Sequence, residues 1–431
     1  MPANTAAPCL AQPLTASTAE AFLKDLFSLA VAASHPAQTL PRYLPKDTTG
    51  KALVIGAGKG AAAMAKTFEA HWQGPVRGLV VTRYEHGEHC RHIEVIEAAH
   101  PVPDAQGTLA AERTLALIDS AAPDEHIFCL LSGGGSSLLS LPATGISLAQ
   151  KQAINKALLK CGASIDEINC VRKHLSAIKG GQLALRASPR PITTFAISDV
   201  PNDSPDIIAS GPTVADPSTR EQALNIVKKY AIALPNNLAN WLHNPDSETP
   251  KTLSHSASYQ LIATPIDALN AAAEFALAQG ITPLVLGDSI EGEACEVAKV
   301  FAGIAKFTAK HNQPLPKPCV ILSGGETTVT VKGHGRGGRN AEFLLSLFHE
   351  LKGQTGIYAL AGDTDGIDGT EDNAGALFSP SDYTKAQALA LNSADYLANN
   401  DGYSFFECLN RLIMTQPTRT NVNDFRAILI I

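Results

Sequence analysis

Charge of either sign is scarce in this chain. Only 17% of its 431 residues are charged, and 34 Lys and Arg against 41 Asp and Glu leave a formal net charge of −7. Without a basic excess there is no long-range field for phosphate backbones or anionic lipid, which argues against nucleic acid and membrane as partners. An anionic substrate has to be captured by local cations. The eight cysteines (Cys9, Cys90, Cys129, Cys161, Cys170, Cys295, Cys319 and Cys408) contain no C-x-x-C pair, and none has a histidine at zinc-finger spacing. They read as reduced thiols rather than as a metal or disulfide framework. No stretch reaches the roughly 18 consecutive apolar residues of a spanning helix, and residues 1–12 lack a basic segment followed by an apolar core. Cytoplasm is the expected compartment. Internal repeats and low-complexity tracts are also missing.

What is present is enough apolar surface for more than one core. Hydrophobic residues make up 45%, as in ordinary globular proteins, and single cores stop growing near about 250–300 residues. Two domains are expected. Strand-like apolar runs at 52–55, 78–82, 93–97, 126–131 and 192–198 alternate with helical patterns at 18–34, 61–72, 107–119, 148–160 and 166–178. That alternation predicts a doubly wound parallel sheet. The polar run HNPDSETPKTLSHSAS (243–258) is the linker candidate, dividing the chain into domains 1–245 and 258–431. A smaller α/β set follows, with strands at 260–263, 282–286, 319–322, 328–332 and 357–361. Helices are expected at 293–310 and from Arg339 onward, and after Thr264 as N-cap with Pro265 in first position.

Five glycine-rich loops leave the ends of these apolar runs: GAGKG (56–60), SGGGSS (132–137), SGGETT (323–328), GHGRGGRN (333–340) and GDTDGIDG (362–369). Glycines let backbone N–H groups approach an anion, and a following helix N-terminus adds a favourable dipole. The first loop, with Gly58, Lys59 and Gly60, is no Walker P-loop, because its spacing is wrong. It is half of a dinucleotide fingerprint, and Glu85 stands about where an acidic residue would hold a ribose; yet Lys59 puts an ammonium where hydride-transfer folds use backbone. A plain turn with a solvated lysine is the bland alternative. The second loop offers Ser132, Gly133, Gly134, Gly135, Ser136 and Ser137 as phosphate or carboxylate ligands, or is a structural turn; G-x-S-x-G is absent, so a nucleophilic serine is not supported. Arg172, Lys173, His174 and Lys179 form a cationic cluster that either meets an anion or complements a helix dipole. Asp199 lies just past a strand, where carboxylates of parallel sheets face the ligand crevice, whereas Asp203 and Asp206 read as turn residues.

In the second half, Gly324, Gly325 and Glu326 follow a strand, and Arg336, Arg339 and Asn340 sit among glycines at a helix start, suited to bidentate anion binding. The last loop resembles a calcium loop but lacks the full frame. Asp363 and Asp365 read as magnesium or hydroxyl ligands, while Asp368 and Asp372 shape the loop.

The segments GAGKGAAAMA, HPVPDAQG, SGGGSSLL, INCVRKHLSAIKGGQLA, SDVPNDSPDIIASGPT, SGGETTVTVKGHGRGGRNAE and AGDTDGIDG resemble, in order, the signatures of the class II glycerate 2-kinases, proteins often labelled hydroxypyruvate reductases. The resemblance covers nearly the whole chain. It implies an N-terminal Rossmann-like domain, a smaller C-terminal α/β domain, and an interdomain cleft where ATP with Mg²⁺ phosphorylates the 2-hydroxyl of D-glycerate to 2-phosphoglycerate. It also implies that Lys59 and Arg339 are active-site residues. On that footing Lys59 and Arg339 clamp the carboxylate and the moving phosphoryl group, and the 133–137 loop holds triphosphate or substrate. Asp199, Asp363, Asp365 or Glu326 orients the metal or accepts the hydroxyl proton. Two other classes stay in view: an NAD(P)H-dependent hydroxypyruvate reductase, and a non-catalytic sensor of a phosphorylated metabolite. The oligomeric state is not legible, leaving a homodimer open.

Overall fold

The computed structural model describes residues 15–253 and 257–431. The expectations for residues 1–12, Cys9 included, and the stretch 254–256 of the linker candidate lie outside the described residues.

The chain divides into two compact units that do not follow the expected 1–245 and 258–431 division. The first comprises Pro36–Ala263 and Arg419–Asn421. Its six strands are β1 Ala52–Ala57, β2 Val76–Arg83, β3 Ile93–Ala98, β4 His126–Leu131, β5 Ile192–Ile197 and β6 Ala257–Ala263. They form one sheet in the order β3-β2-β1-β4-β5-β6, parallel throughout. This is the expected doubly wound sheet. β1 and β4 are buried nearly end to end, as helices on both faces require, which is why they read as unbroken apolar runs. The boundary moves because β6 pairs with β5: the run after the polar linker completes the first sheet instead of opening the second. Beside the sheet, helices Leu148–Lys160, Ile165–His174, Arg220–Lys229 and Asn236–His243 share a small core around Leu158, Val171, Val227 and Leu238. Three of these helices open on a reciprocal capping box, Ser147 with Gln150, Ser164 with Glu167 and Thr219 with Gln222.

The second unit comprises residues 15–35, Thr264–Thr418 and Val422–Ile431. Helix Ala16–Ser34 belongs here, with Phe22 stacked on Phe275 at 5.9 Å and Phe27 against Phe425 at 6.0 Å. Helix Pro265–Ala278 starts as expected after Thr264, whose N–H and hydroxyl both donate to Asp267. The strands are β7 Thr282–Gly287, β8 Gly292–Glu293, β9 Cys319–Ser323, β10 Thr327–Thr328, β11 Ile357–Asp363, β12 Gly375–Phe378, β13 Leu412–Ile413 and β14 Asp424–Ile430. Six of them form a sheet in the order β13-β12-β11-β14-β9-β7. Only β7 and β9 are parallel; the other neighbours are antiparallel. The strand–helix alternation up to β11 does not extend through this sheet, because β12 turns back directly on β11 and β14 inserts between β11 and β9. The expected strand at 328–332 shrinks to β10, which pairs with β8 alone. The alternation of TVTVK marks a loop, in which Val331 is 74% exposed.

Candidate active site

In a parallel sheet of this order the connections diverge on either side of β1 and β4, and ligands bind beyond the carboxyl ends of the strands at that point. The first two glycine loops leave β1 and β4 there, and Asp199 follows β5. They interlock. The Lys59 N–H donates to Gly133 O at 2.8 Å, and the Gly60 N–H to the buried Ser132 Oγ at 2.9 Å. Gly58 has φ +139°, and a Cβ there would lie 2.1 Å from Ser132 Oγ, so only glycine allows this approach. Gly133 is excluded from carrying a side chain by its neighbours: its Cβ would lie 2.1 Å from both Asp199 Oδ2 and Asn421 Nδ2. Asn421 donates to Asp199 Oδ2 at 3.1 Å, fixing the carboxylate over the loop. His100 also reaches the loop, its ring 2.9 Å from where a Cβ of Gly134 would stand, with the Lys59 stem 3.5 Å from the same point. The structure therefore brings Gly58, Lys59, Gly60, Ser132, Gly133, Gly134, Gly135 and Asp199 together.

The cationic cluster splits. Lys173 is buried between Asp206 at 3.0 Å and Asp216 at 3.1 Å, and His174 is buried between Cys170 O and Glu248; both are structural. Asp206 is thereby more than the turn residue expected. Lys179 donates to Ser136 O at 2.6 Å and to Ser136 Oγ at 3.2 Å, and Ser136 Oγ in turn meets Ser210 Oγ at 2.8 Å. Burial, reinforced by Lys151 and Arg172, holds the Lys179 ammonium well below its ordinary pKa. Ser136, Ser137, Arg172 and Lys179 share a cavity of about 590 Å³ with Lys151, a residue the sequence did not single out.

In the second unit, Arg339 opens helix Arg339–Leu351 and its guanidinium meets three carboxylates: Asp424 Oδ1 at 2.7 Å, Asp363 Oδ2 at 2.7 Å and Glu326 Oε1 at 3.2 Å. Burial alone would lower its pKa, but Asp424, Asp363 and Glu326 outweigh it and hold it well above the ordinary value. Arg339 is thus a fixed cation, partly exposed within an acidic cradle. The buried Asn340 donates to Asp424 Oδ1 at 2.7 Å, and Asp368 caps the helix, accepting from the N–H groups of Asn340 at 2.9 Å and Ala341 at 2.8 Å. Burial pushes Asp368 up to about 6 against these bonds. Gly324 and Gly325 contribute carbonyls, to Arg426 Nη1 at 3.0 Å and to Asp424 N at 3.1 Å. Arg336 stands apart from this cluster. It pairs with Glu371 at 2.6 Å and lies 4.1 Å over the Tyr403 ring.

Asp363 and Asp365 do not fit a resident divalent ion as they stand. Asp363 gives one oxygen to Arg339 and the other to the Asp365 N–H at 3.0 Å, and Asp365 Oδ1 accepts from the Ile367 N–H at 2.8 Å. Among the described residues no group of three or more His, Cys, Asp or Glu side chains is arranged to hold a metal. Of the two, Asp363 receives a guanidinium, that of Arg339. Sequence reasoning also missed Asn421, His100, Asp424 and the buried Arg426, which is bonded to Asp424 and Thr327. A carboxylate opening the apolar run DFRAILI was the available signal for Asp424.

A domain of unknown function, DUF4147, matches residues 22–243, and the MOFRL family matches residues 319–424. The chain is 48% identical over 416 residues to an Agrobacterium vitis protein provisionally named a hydroxypyruvate reductase, covering 96% of this chain and 95% of that one. It is 38% identical over 402 residues to the D-glycerate 2-kinase of Thermotoga maritima, covering 93% and 95%. The crystal structure of glycerate kinase from Thermotoga maritima matches with a TM-score of 0.88 at 37% identity, covering 96% of this chain and all of the other. Matched by the family models and by these relatives along nearly its full length, the chain belongs to the class II glycerate kinase family.

Proposed function

We propose that this protein is a glycerate 2-kinase: it transfers the γ-phosphoryl group of ATP to the 2-hydroxyl of D-glycerate, giving 2-phosphoglycerate, ADP and a proton. The observation that carries this reading is the interlocked pair of glycine loops at the carboxyl ends of β1 and β4, with Lys59 in one loop and Asp199 beside the other. Phosphoryl transfer asks a protein chiefly for positioning and for cations and N–H groups aimed at equatorial oxygens. Lys59 is assigned to the moving phosphoryl group and Arg339 to the substrate carboxylate. Asp199, held by Asn421, accepts the proton of the attacking hydroxyl. Any Mg²⁺ enters with the donor, since this ion is bound largely through substrate phosphates and water.

The dinucleotide-type strand order of the first sheet keeps a reductase as the second reading. Two assays separate them: ADP release with ATP and D-glycerate, and NADH loss with hydroxypyruvate. The kinase reading expects the first alone, with the product identified as 2-phosphoglycerate by phosphorus NMR; NADH loss without ADP would replace it. Lys59→Ala and Arg339→Ala are each expected to lower kcat about 10²–10³-fold. Wild-type turnover in both would remove the two residues from the site.

A further inference from the structure

A cavity of about 590 Å³ lies beside the second glycine loop. It is lined by Lys151, Lys156, Arg172 and Lys179, and among the described residues no Asp or Glu lines it. Lys151 is only 7% exposed, and its Nζ is buried without a hydrogen-bond partner. An unpaired buried ammonium is costly, and here two further cations add like-charge repulsion. Burial and Arg172 accordingly push Lys151 down to about 7. A polyanion in the cavity would remove this frustration at once.

Two observations narrow the anion. Leu148, Lys151, Asn155 and Leu159 recur at helical spacing along one face of helix Leu148–Lys160, and all four line the cavity, as does Val102. The wall is thus apolar at its ends and cationic between, and Asn155 Oδ1 is a buried acceptor without a donor. An apolar surface with an orphan carbonyl suits an amino-bearing aromatic base, and about 590 Å³ is within the range of small-molecule sites. Ser136 and Ser137 belong both to this cavity and to the glycine loop at the end of β4, so an anionic chain lying along the cations runs toward that loop.

We propose that this cavity binds the nucleoside triphosphate donor, its phosphates on Lys151, Arg172 and Lys179 and its base against Leu148, Leu159 and Asn155. The proposal rests on the kinase reading for the donor's identity and adds where that donor sits. Titration of AMP-PNP and of pyrophosphate into wild type, Lys151→Met and Arg172→Gln tests it, with the melting temperature of each ligand-free protein. Each variant is expected to weaken AMP-PNP at least tenfold, while Lys151→Met raises the melting temperature, which removal of a merely structural lysine would not do. Both variants raise KM for ATP and leave KM for glycerate in place. Unchanged AMP-PNP affinity in both variants overturns the proposal, even if the protein phosphorylates glycerate. Pyrophosphate binding as tightly as AMP-PNP overturns the nucleotide and assigns the cations to a simple phosphate ligand. Lys151-dependent AMP-PNP binding without glycerate turnover would sustain the site and sink the kinase reading.

Discussion

Lys151 shows how a single side chain records an unmet requirement. It lines one cavity with Arg172, Lys156 and Lys179, where among the described residues no acid is found, and burial followed by Arg172 lowers its pKa from 10.5 to about 7. Between these values the unfolded chain holds the proton and the folded protein sheds it, so stability rises with pH across that window and is lost again as pH falls through 7. Ligand-free wild type is therefore expected to gain about 1–3 kcal/mol on Lys151→Met between pH 7 and pH 9, read from paired thermal melts. A constant difference would mean that the ammonium is solvated or paired. Nothing in LAQKQAINK distinguishes this lysine from one on a solvated helix face, and for that reason it was not legible. Lys59 did stand out in the sequence, because a charged residue sits inside a glycine turn that otherwise offers only backbone. Arg339 was legible as a cation among glycines at a helix start; its carboxylate partners were not, Asp363 lying 24 and Asp424 85 residues away, beyond any local pattern.

At the scale of elements, the glycine loops function because neighbouring groups occupy the space a side chain would need. Gly133→Ala would drive a methyl into Asp199 Oδ2 and Asn421 Nδ2, each 2.1 Å from the new atom. Both side-chain ends must then shift from the positions in which they bond one another. The expected outcome is an overpacking cost of about 1–3 kcal/mol together with a fall in kcat, measured by denaturant unfolding and steady-state kinetics. A stable variant with full kcat would separate Asp199 from the reaction. The positions of these loops followed from sequence because a strand, its turn and the next helix are contiguous. β14 did not, since its place between β11 and β9 is decided by pairing with distant strands. The helices Arg220–Lys229 and Asn236–His243 escaped for a different reason: each is short, ending within ten residues.

For the whole molecule, both units are discontinuous in sequence. The helix Ala16–Ser34 packs in the unit formed mainly by Thr264–Thr418, placing Phe27 on Phe425 and against Gly362. A fragment of residues 264–431 would expose that apolar seat, so it is expected to aggregate or to melt well below the same fragment joined to residues 15–35. Size-exclusion chromatography and circular dichroism of the two fragments check this, and equal behaviour would show the helix to be dispensable. The polar linker gave no hint of such an arrangement, because composition marks where a chain loosens and not which partner each piece finds. The crossing at Arg419–Asn421 carries its own consequence. A growing polypeptide has every strand of its first sheet once Ala263 has emerged, yet Asn421, the partner of Asp199, arrives about 160 residues later, and the second sheet waits for β14. The loop around Asp199 is thus finished late, by a residue that the chain delivers only near its end.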